Sequence, residues 1–444
     1  MSTQTPQISG GTAAEIADSV RGLVERGHLA PGEVLPPVRA LAEQLGVNRN
    51  TAVAAYRDLA RSGVVVSQGR AGTRVARRSR VPQEGFAAAG ALRDVGTGNP
   101  DPRLIPDLAP ALASVADRGP VLYGEPTVDR DLGSWALDWM APDVPVPASD
   151  VRLTLTSGAV DAVERLLAQA LLRDDAVALE DPCFLASIHL AQLGGYRAVP
   201  VAVDAEGMTV EGLRHALDQG VRAVVCTPRA QNPTGSSLSA TRAAALREVL
   251  ADHPYVLVIQ DDYFSYLSQQ PFHSIVGPDH RRWALVRSVS KFVGPDMCLA
   301  VTACDADTAA RLEMRLSPGT TWVSHLLQRI THAVITDPSA LALIERAGKH
   351  YAERDAAFAG LLTERGLPTS PGDGVSLWVP LPVAAREVAD RLTRRGWLVR
   401  TGDEFRLAEG APPSQHLRLT VHDLDEASAA TLADDIVAAA TATA

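Results

Sequence analysis

Along the first 75 residues the apolar positions fall at helical intervals in three blocks. Ala13, Ile16, Ala17, Val20, Leu23 and Val24 recur at the spacing of one helix face between Thr12 and Arg26. Pro36 and Pro37 set the start of a short helix that turns Val38, Leu41, Ala42 and Leu45 inward. Gly46 permits a tight turn, and Asn48 can cap a third helix with an inward stripe of Ala52, Val53, Tyr56, Leu59 and Ala60. After Gly63 the period changes: a β-branched run at 64–66, a glycine turn at 69–72 and Thr73-Arg74-Val75 predict a hairpin. Residues 76–92 hold no period and read as a linker. From about Asp94 onward, short strand-like runs alternate with longer helical segments, the pattern of a sheet covered by helices. Val256 to Ile259 is wholly apolar, as in a strand buried on both faces. The expected class is α/β, with a small helical head ahead of a large body.

Charge divides the chain where the period does. Residues 1–80 carry 11 arginines against 6 Asp and Glu, a net +5; the remainder carries 31 basic against 46 acidic residues, a net −15. A basic head on an acidic body assigns any polyanion to the head. A chain of 444 residues with 46% hydrophobic and 21% charged content suits two or three globular domains. No apolar run approaches the roughly 20 residues needed to cross a bilayer, and the N-terminus has no charged-then-apolar leader. No membrane association and a cytoplasmic location are therefore expected. Cys183, Cys226, Cys298 and Cys304 show no paired spacing and no histidines at metal-finger intervals, so reduced thiols and no metal site are expected.

On the third predicted helix Arg49, Asn50 and Thr51 occupy the first turn outside the apolar stripe, with Arg57 and Arg61 further along. A helix-turn-helix inserts that turn into the major groove, where arginine pairs with guanine and asparagine with adenine. Thr51 or Arg39 can hold phosphate, and Arg70 and Arg74 fall on the hairpin. The stretches LPPVRALAEQLGVNRNT, AYRDLARSGVV and GRAGTRV resemble the GntR winged-helix family over about 65 residues. That resemblance implies a double-stranded DNA operator, contacted by Arg39, Arg49, Asn50 and the wing around Gly72.

In the body the rarity of lysine matters. Of 42 basic residues 40 are arginines, leaving Lys291 and Lys349. Lysine differs from arginine in that its amine can lose a proton and form a Schiff base. Lys291 follows the strand-like run Trp283-Ala-Leu-Val-Arg-Ser288. Other chemistry-bearing residues also follow such runs, where open α/β sheets bind ligands. Ser157-Gly158 opens an amphipathic helix and can cradle phosphate. Phe184 can stack on a flat ligand, Asn232 sits in an Asn-Pro-Thr-Gly turn, and Asp261 and Asp262 end the apolar run at 256–259. A carboxylate there needs a positive partner, either a protonated pyridine nitrogen or an arginine. Pyridoxal phosphate requires a lysine, a carboxylate at the ring nitrogen and a phosphate cradle; Lys291, Asp261 and Ser157-Gly158 supply all three.

These motifs, in this order, resemble the fold-type-I aminotransferases of class I over roughly residues 95–440. Joined to a GntR head, the whole chain resembles the MocR-type regulators. The resemblance implies a winged helix-turn-helix at 1–75, a linker at 76–93, and at 94–444 an aminotransferase-like domain with a mostly parallel sheet. A smaller α+β subdomain would begin near residue 330. It implies pyridoxal phosphate on Lys291, with Lys291, Asp261 and Tyr263 as the catalytic set. Asn232 and Tyr263 would lie at the 3′-oxygen, Ser157, Gly158, Ala159, Ser288 and Ser290 around the phosphate, and Phe184 against the ring. Arg418, in HLRLTV, would take an α-carboxylate, and Tyr123, in LYGEPTV, would reach across a homodimer. Several positions depart from the pattern: Cys298 stands where an arginine grips phosphate, Val128 and Gly133 replace a glycine and an arginine, and Ala186 replaces the arginine of GABA-responsive members. The expected function is a DNA-binding regulator that senses pyridoxal phosphate, an amino compound, or both. The alternatives are a working aminotransferase with a secondary head and, because of Cys298, a regulator that has lost the cofactor.

Overall fold

The computed structural model describes residues 7–67, 72–75, 92–317, 322–407 and 411–442. The chain divides into two compact units, Met1–Pro82 and Gln83–Ala444. Arg70 and the Arg61 side chain, both expected near DNA, lie outside the described residues, as does most of the expected linker.

In the first unit α1 (Ala13–Glu25), α2 (Val38–Leu45) and α3 (Arg49–Arg61) enclose a core that includes Ile16, Val20, Leu41, Ala52 and Leu59. Thr12 and Glu15 cap α1 reciprocally, each side chain accepting the other's backbone N–H. Gly46 closes α2 with φ +65, a left-handed conformation that costs glycine little. Asn48 Oδ1 accepts the Asn50 N–H at 2.8 Å and so starts α3. The Tyr56 hydroxyl donates to the Pro36 carbonyl at 2.7 Å, tying α3 to the entry of α2. β1 (Val65–Ser67) and β2 (Thr73–Val75) pair antiparallel, with Val34 bridged to Arg74. Two α3 positions depart from the expected inward stripe. Val53 is 41% exposed and Ala60 is exposed, while Ala55 is buried. The actual stripe, Ala52, Ala55, Tyr56 and Leu59, keeps strict three-and-four spacing. Val53 and Ala60 each lie one residue, about 100°, round from it.

The second unit opens with β3 (Arg93–Asp94), α4 (Ala109–Val115) and α5 (Arg130–Met140). Its main sheet comprises β4 (Arg152–Thr156), β5 (Ala176–Asp181), β6 (Arg197–Asp204), β7 (Gly207–Met208), β8 (Ala223–Cys226), β9 (Leu257–Asp261), β10 (Trp283–Ser288) and β11 (Ala300–Cys304). The spatial order is β4-β11-β10-β9-β8-β5-β6-β7. β6, β5, β8, β9 and β10 run parallel, while β11 lies antiparallel between β10 and β4. Strands β5, β8, β9, β10 and β11 are buried on both faces by two apolar cores, which include residues of α6 (Ala159–Ala170), α8 (Val210–Asp218), α9 (Ala240–Ala251) and α10 (Ala306–Leu316). α7 (Leu185–Gly194) joins β5 to β6. α11 (His325–Thr336) and the first half of α12 (Pro338–Glu364) pack in the sheet's core through Ile330, Val334, Ile344 and Tyr351. A separate core runs from Phe358 to Ala440 and includes Val95. It is built on β12 (Leu377–Pro380), α13 (Ala385–Arg394), β13 (Trp397–Leu398), β14 (Arg400–Thr401), β15 (His416–Leu419) and α14 (Glu426–Thr441). β13 pairs with β3, which stitches the start of the unit to this second core. Among the described residues no helix is long and apolar enough to cross a membrane.

The separate cores predict separable unfolding. Leu59→Ala opens a cavity in the first unit, with an expected cost of about 2–5 kcal/mol. Amide exchange measured on the full-length variant should show protection lost across 13–61 and unchanged across 152–304.

Candidate functional site

Every strand of the parallel run ends at one edge of the sheet, and the chemistry-bearing residues collect there. Ser157 and Gly158 follow β4, Phe184 follows β5, Thr227 and Asn232 follow β8, Asp261 ends β9, and Ser288, Ser290 and Lys291 close β10. The register aligns them: Asp261 lies opposite Val286, Ser288 opposite Ala300, and Ala300 opposite Thr156. Together they line a cavity of about 320 Å³ whose walls include Ser157, Gly158, Ala159, Phe184, Asn232, Asp261, Tyr263, Ser288, Ser290 and Lys291. Thr97, Gly98, Asn99, Thr227, Val160, Pro295 and Cys298 complete the wall.

Within this cavity Lys291 Nζ donates to the Gly98 carbonyl at 2.7 Å. Burial lowers its ammonium from the usual 10.5 to about 8, so the neutral amine is reached at a lower pH than for an exposed lysine. The two carboxylates at the end of β9 meet different surroundings. Asp262 is fully buried and takes Arg229 through two contacts of 2.7 and 2.9 Å, and Arg287 Nε at 2.8 Å. Burial pushes its carboxyl up, but the hydrogen bonds and charges of the two arginines hold it below the usual range. Asp261 Oδ1 is shut off from solvent and has no hydrogen-bond partner among the described residues. Burial, and then the negative charges of Asp262 and Glu180, push Asp261 up to about 7. The arginines take Asp262, and Asp261 lines the cavity.

The opposite wall is held by the loop after β8. Gln231 Nε2 donates to buried Glu180 at 3.2 Å, and the Thr227 N–H does so at 3.1 Å. Tyr263 donates its hydroxyl to the Ala230 carbonyl at 2.7 Å. Arg418 is fully buried on β15 and is absent from the cavity wall; it donates to Asn232 Oδ1 at 3.1 Å and to the Gly96 carbonyl at 2.6 Å. Burial lowers its guanidinium to about 9. Tyr123 lies away from the cavity, 92% exposed, with its ring 5.5 Å from that of Trp322. Thr97, Gly98, Asn99 and Thr227 were not anticipated from sequence.

At the start of α6 the backbone can approach a ligand closely. Gly158 has φ +92, and a Cβ there would meet nothing within 4 Å. An unpartnered buried carboxylate oxygen and an amine of lowered basicity fit the ring nitrogen and the aldehyde of pyridoxal phosphate.

In the first unit Arg39, Arg49, Asn50 and Arg57 are exposed, Thr51 is half-buried, and Gly72 adopts φ +87. Val53 shares a helix face with Arg49 and Arg57, four residues from each, and was missed because it was assigned to the core. Arg74 is half-buried and donates to the Gly32 carbonyl at 3.1 Å.

Comparison with known proteins matches residues 93–436 to the family described as aminotransferase class I and II, and residues 12–75 to the bacterial regulatory proteins of the gntR family. The chain is 46% identical to the vitamin B6 salvage pathway transcriptional repressor PtsJ of Salmonella typhimurium, over 97% of this chain and 98% of that one. The chain belongs to the MocR-type transcriptional regulators. A second relative, the HTH-type pyridoxine biosynthesis transcriptional regulator PdxR of Corynebacterium glutamicum, is 27% identical over 57% of this chain and 56% of its own. Among solved structures, the kynurenine aminotransferase of Pyrococcus horikoshii superposes with a TM-score of 0.70 at 20% identity, covering 78% of this chain and 91% of that one. The multiple substrate aminotransferase of Thermococcus profundus gives 0.71 at 20% identity, covering 79% and 92%. The body of this MocR-type chain therefore has the fold-type-I aminotransferase fold, in a family that depends on pyridoxal phosphate.

The raised pKa of Asp261 has a stability consequence. A carboxyl that keeps its proton longer in the folded state contributes fully below its unfolded value near 4, and that contribution is lost as pH rises through about 7. On ligand-free protein, Asp261→Asn should raise the melting temperature by roughly 2–4 °C or more at pH 8. The gain should shrink steadily toward pH 4; a gain independent of pH would count against the assignment.

Proposed function

We propose that the chain binds a double-stranded operator through its first unit and pyridoxal phosphate through Lys291 in its second, and that the cofactor or a related vitamin B6 compound is its effector. The observation that carries this reading is the unpartnered Asp261 Oδ1 in one cavity with the low-basicity amine of Lys291. The 46% identity to a repressor of vitamin B6 salvage supports the choice of effector and of regulated pathway.

Bound pyridoxal phosphate supplies an aldehyde and an electron-withdrawing ring. On the protein side, Lys291 is the nucleophile, and its neutral form is the reactive one. Asp261 holds the proton of the ring nitrogen, and its carboxylate gains the cation that the strand end lacks. Tyr263 and Asn232 orient the 3′-oxygen, Phe184 covers the ring, and Ser157, Gly158, Ala159, Ser288 and Ser290 surround the ester end. Arg418 holds Asn232 in place and would have to release it to take an α-carboxylate in two-point fashion. In the first unit Arg49 and Asn50 read bases, Val53 can pack on a thymine methyl, and Arg39, Thr51 and the Gly72 turn lie along phosphates. A homodimer would present two such helices to two half-sites and bring Tyr123 to the other copy's cavity.

Regulation requires that the ligand bind the DNA-bound and free forms with different affinity, and the coupling is reciprocal. A second reading, a turning-over aminotransferase, is favoured by the joint presence of Lys291, Asp261, Tyr263 and Arg418. Measured formation of a keto acid over many turnovers would establish it.

Addition of pyridoxal phosphate should give a visible absorbance and, after borohydride, a pyridoxyl label on Lys291; Lys291→Ala should give neither. If the parent protein also gives neither, the cofactor assignment fails. Arg49→Ala and Asn50→Ala should each weaken retardation of the chain's own upstream DNA by about 1–3 kcal/mol. Cys298→Arg should tighten pyridoxal phosphate roughly tenfold to a hundredfold in equilibrium titration.

A further inference from the structure

The end of the cavity formed by the start of α6 and the segment after β10 is nearly neutral. Among the described residues of the wall, Lys291 is the only cation and Asp261 the only carboxylate; Ser157, Ser288, Ser290, Pro295 and Cys298 supply no cation. Cys298 holds its place with φ +40, its thiol 3.3 Å from the Pro295 carbonyl. A doubly charged phosphate depends on cationic donors or on unused backbone N–H groups, and here the second resource is partly spent.

Four contacts show this. The Ser157 N–H donates to Asp161 Oδ2 at 3.0 Å, and the Gly158 N–H donates to the Thr156 carbonyl at 2.8 Å. The hydroxyls of Ser288 and Ser290 bond each other at 3.0 Å, and Ser288 Oγ also accepts the Ser290 N–H at 3.2 Å. The helix start, where an anion would gain from the dipole, already holds the Asp161 carboxylate. That carboxylate is neutralised by Arg165 at 2.7 Å, whose other nitrogen is turned to the Arg315 carbonyl at 2.9 Å. A phosphate would therefore meet a carboxylate already paired with its own arginine, and no cation left over for the ester. The groups that recognise the ring, by contrast, are in place: Lys291, Asp261, Asn232, Tyr263 and Phe184 all line the cavity.

From this arrangement we infer that the cavity recognises the 4-formyl-3-hydroxypyridine ring largely without its phosphate, so that unphosphorylated pyridoxal is a ligand of the same site. The inference rests on the reading that Lys291 and Asp261 bind this ring. It makes the chain responsive to the summed pool of pyridoxal aldehydes.

The full-length protein is titrated with pyridoxal phosphate, pyridoxal and 5-deoxypyridoxal, following imine absorbance. Each constant is divided by that for the same aldehyde with a simple primary amine, which removes the effect of pyridoxal closing on its own 5′-hydroxyl. Corrected affinities for the three should agree within about tenfold, since one charge-assisted hydrogen bond is worth roughly ten- to hundredfold. Cys298→Arg and, separately, Asp161→Asn should each move the ratio at least about tenfold toward the phosphate ester. A preference of the parent protein for pyridoxal phosphate over 5-deoxypyridoxal above about a hundredfold overturns the inference while leaving the cofactor assignment intact. Failure of all three aldehydes to label Lys291 after borohydride overturns the assignment itself.

Discussion

The site depends on how two adjacent carboxylates at the end of β9 are divided. Successive strand residues point to opposite faces, so Asp261 and Asp262 cannot share a partner. Asp262 is locked between Arg229 and Arg287, and Arg287 is held in turn by Asp143 at 2.5 Å and by the Trp139 carbonyl at 2.8 Å. The Arg287 guanidinium also lies over the rings of Trp139 and Phe272, at 5.2 and 5.1 Å. Removing one member of such a cluster would leave a charge buried without compensation, which is costly. This cluster fixes the strand end and consumes the nearby cations. What remains is a single carboxylate facing the cavity, flanked by the negative charge of Asp262.

Much of this was legible in the sequence because it depends on short-range order. The capped helices of the first unit, the glycine turns and the strand-to-loop positions of Ser157, Phe184, Asn232, Asp261 and Lys291 follow from local pattern and spacing. The division between Asp261 and Asp262 was visible only as a pair of alternatives, because Arg229 approaches from the loop after β8 and Arg287 from β10, and nothing local marks them. Thr97, Gly98 and Asn99 join the wall from a segment nearly 200 residues before Lys291, and only the pairing of β3 with β13 and the second core bring them there. Val53 was misplaced for a simpler reason: a valine beside a buried alanine looks like core until the centre of the helical stripe is known. Its exposure adds an apolar contact to a face otherwise read as arginine and asparagine.

The head and the body also differ in what charge does for them. In the head, arginines stand on an exposed helix face, where they act over a Debye length and respond to salt. In the body, the arginines nearest the cavity are buried and committed to carboxylates or carbonyls, so they set geometry and give little field to a ligand. This is why a chain rich in arginine can present a cavity whose described walls are almost neutral.

That commitment bears on how a ligand could be sensed at all. The lysine and the carboxylate of the cavity are both pushed toward their neutral forms, Lys291 to about 8 and Asp261 to about 7, chiefly by burial. Each therefore carries a burial penalty at neutral pH whenever it is charged. On the proposed reading, a protonated pyridine ring relieves the penalty at Asp261 by supplying the missing cation, and condensation at Lys291 removes the other by consuming the amine. Ligand binding then stabilises the body by relieving two unfavourable charges at once, without a strong grip on the phosphate. A ligand whose binding is so closely linked to the stability of the fold at one sheet edge can bias any equilibrium in which that edge is held differently, and such a bias is the minimum a regulator requires.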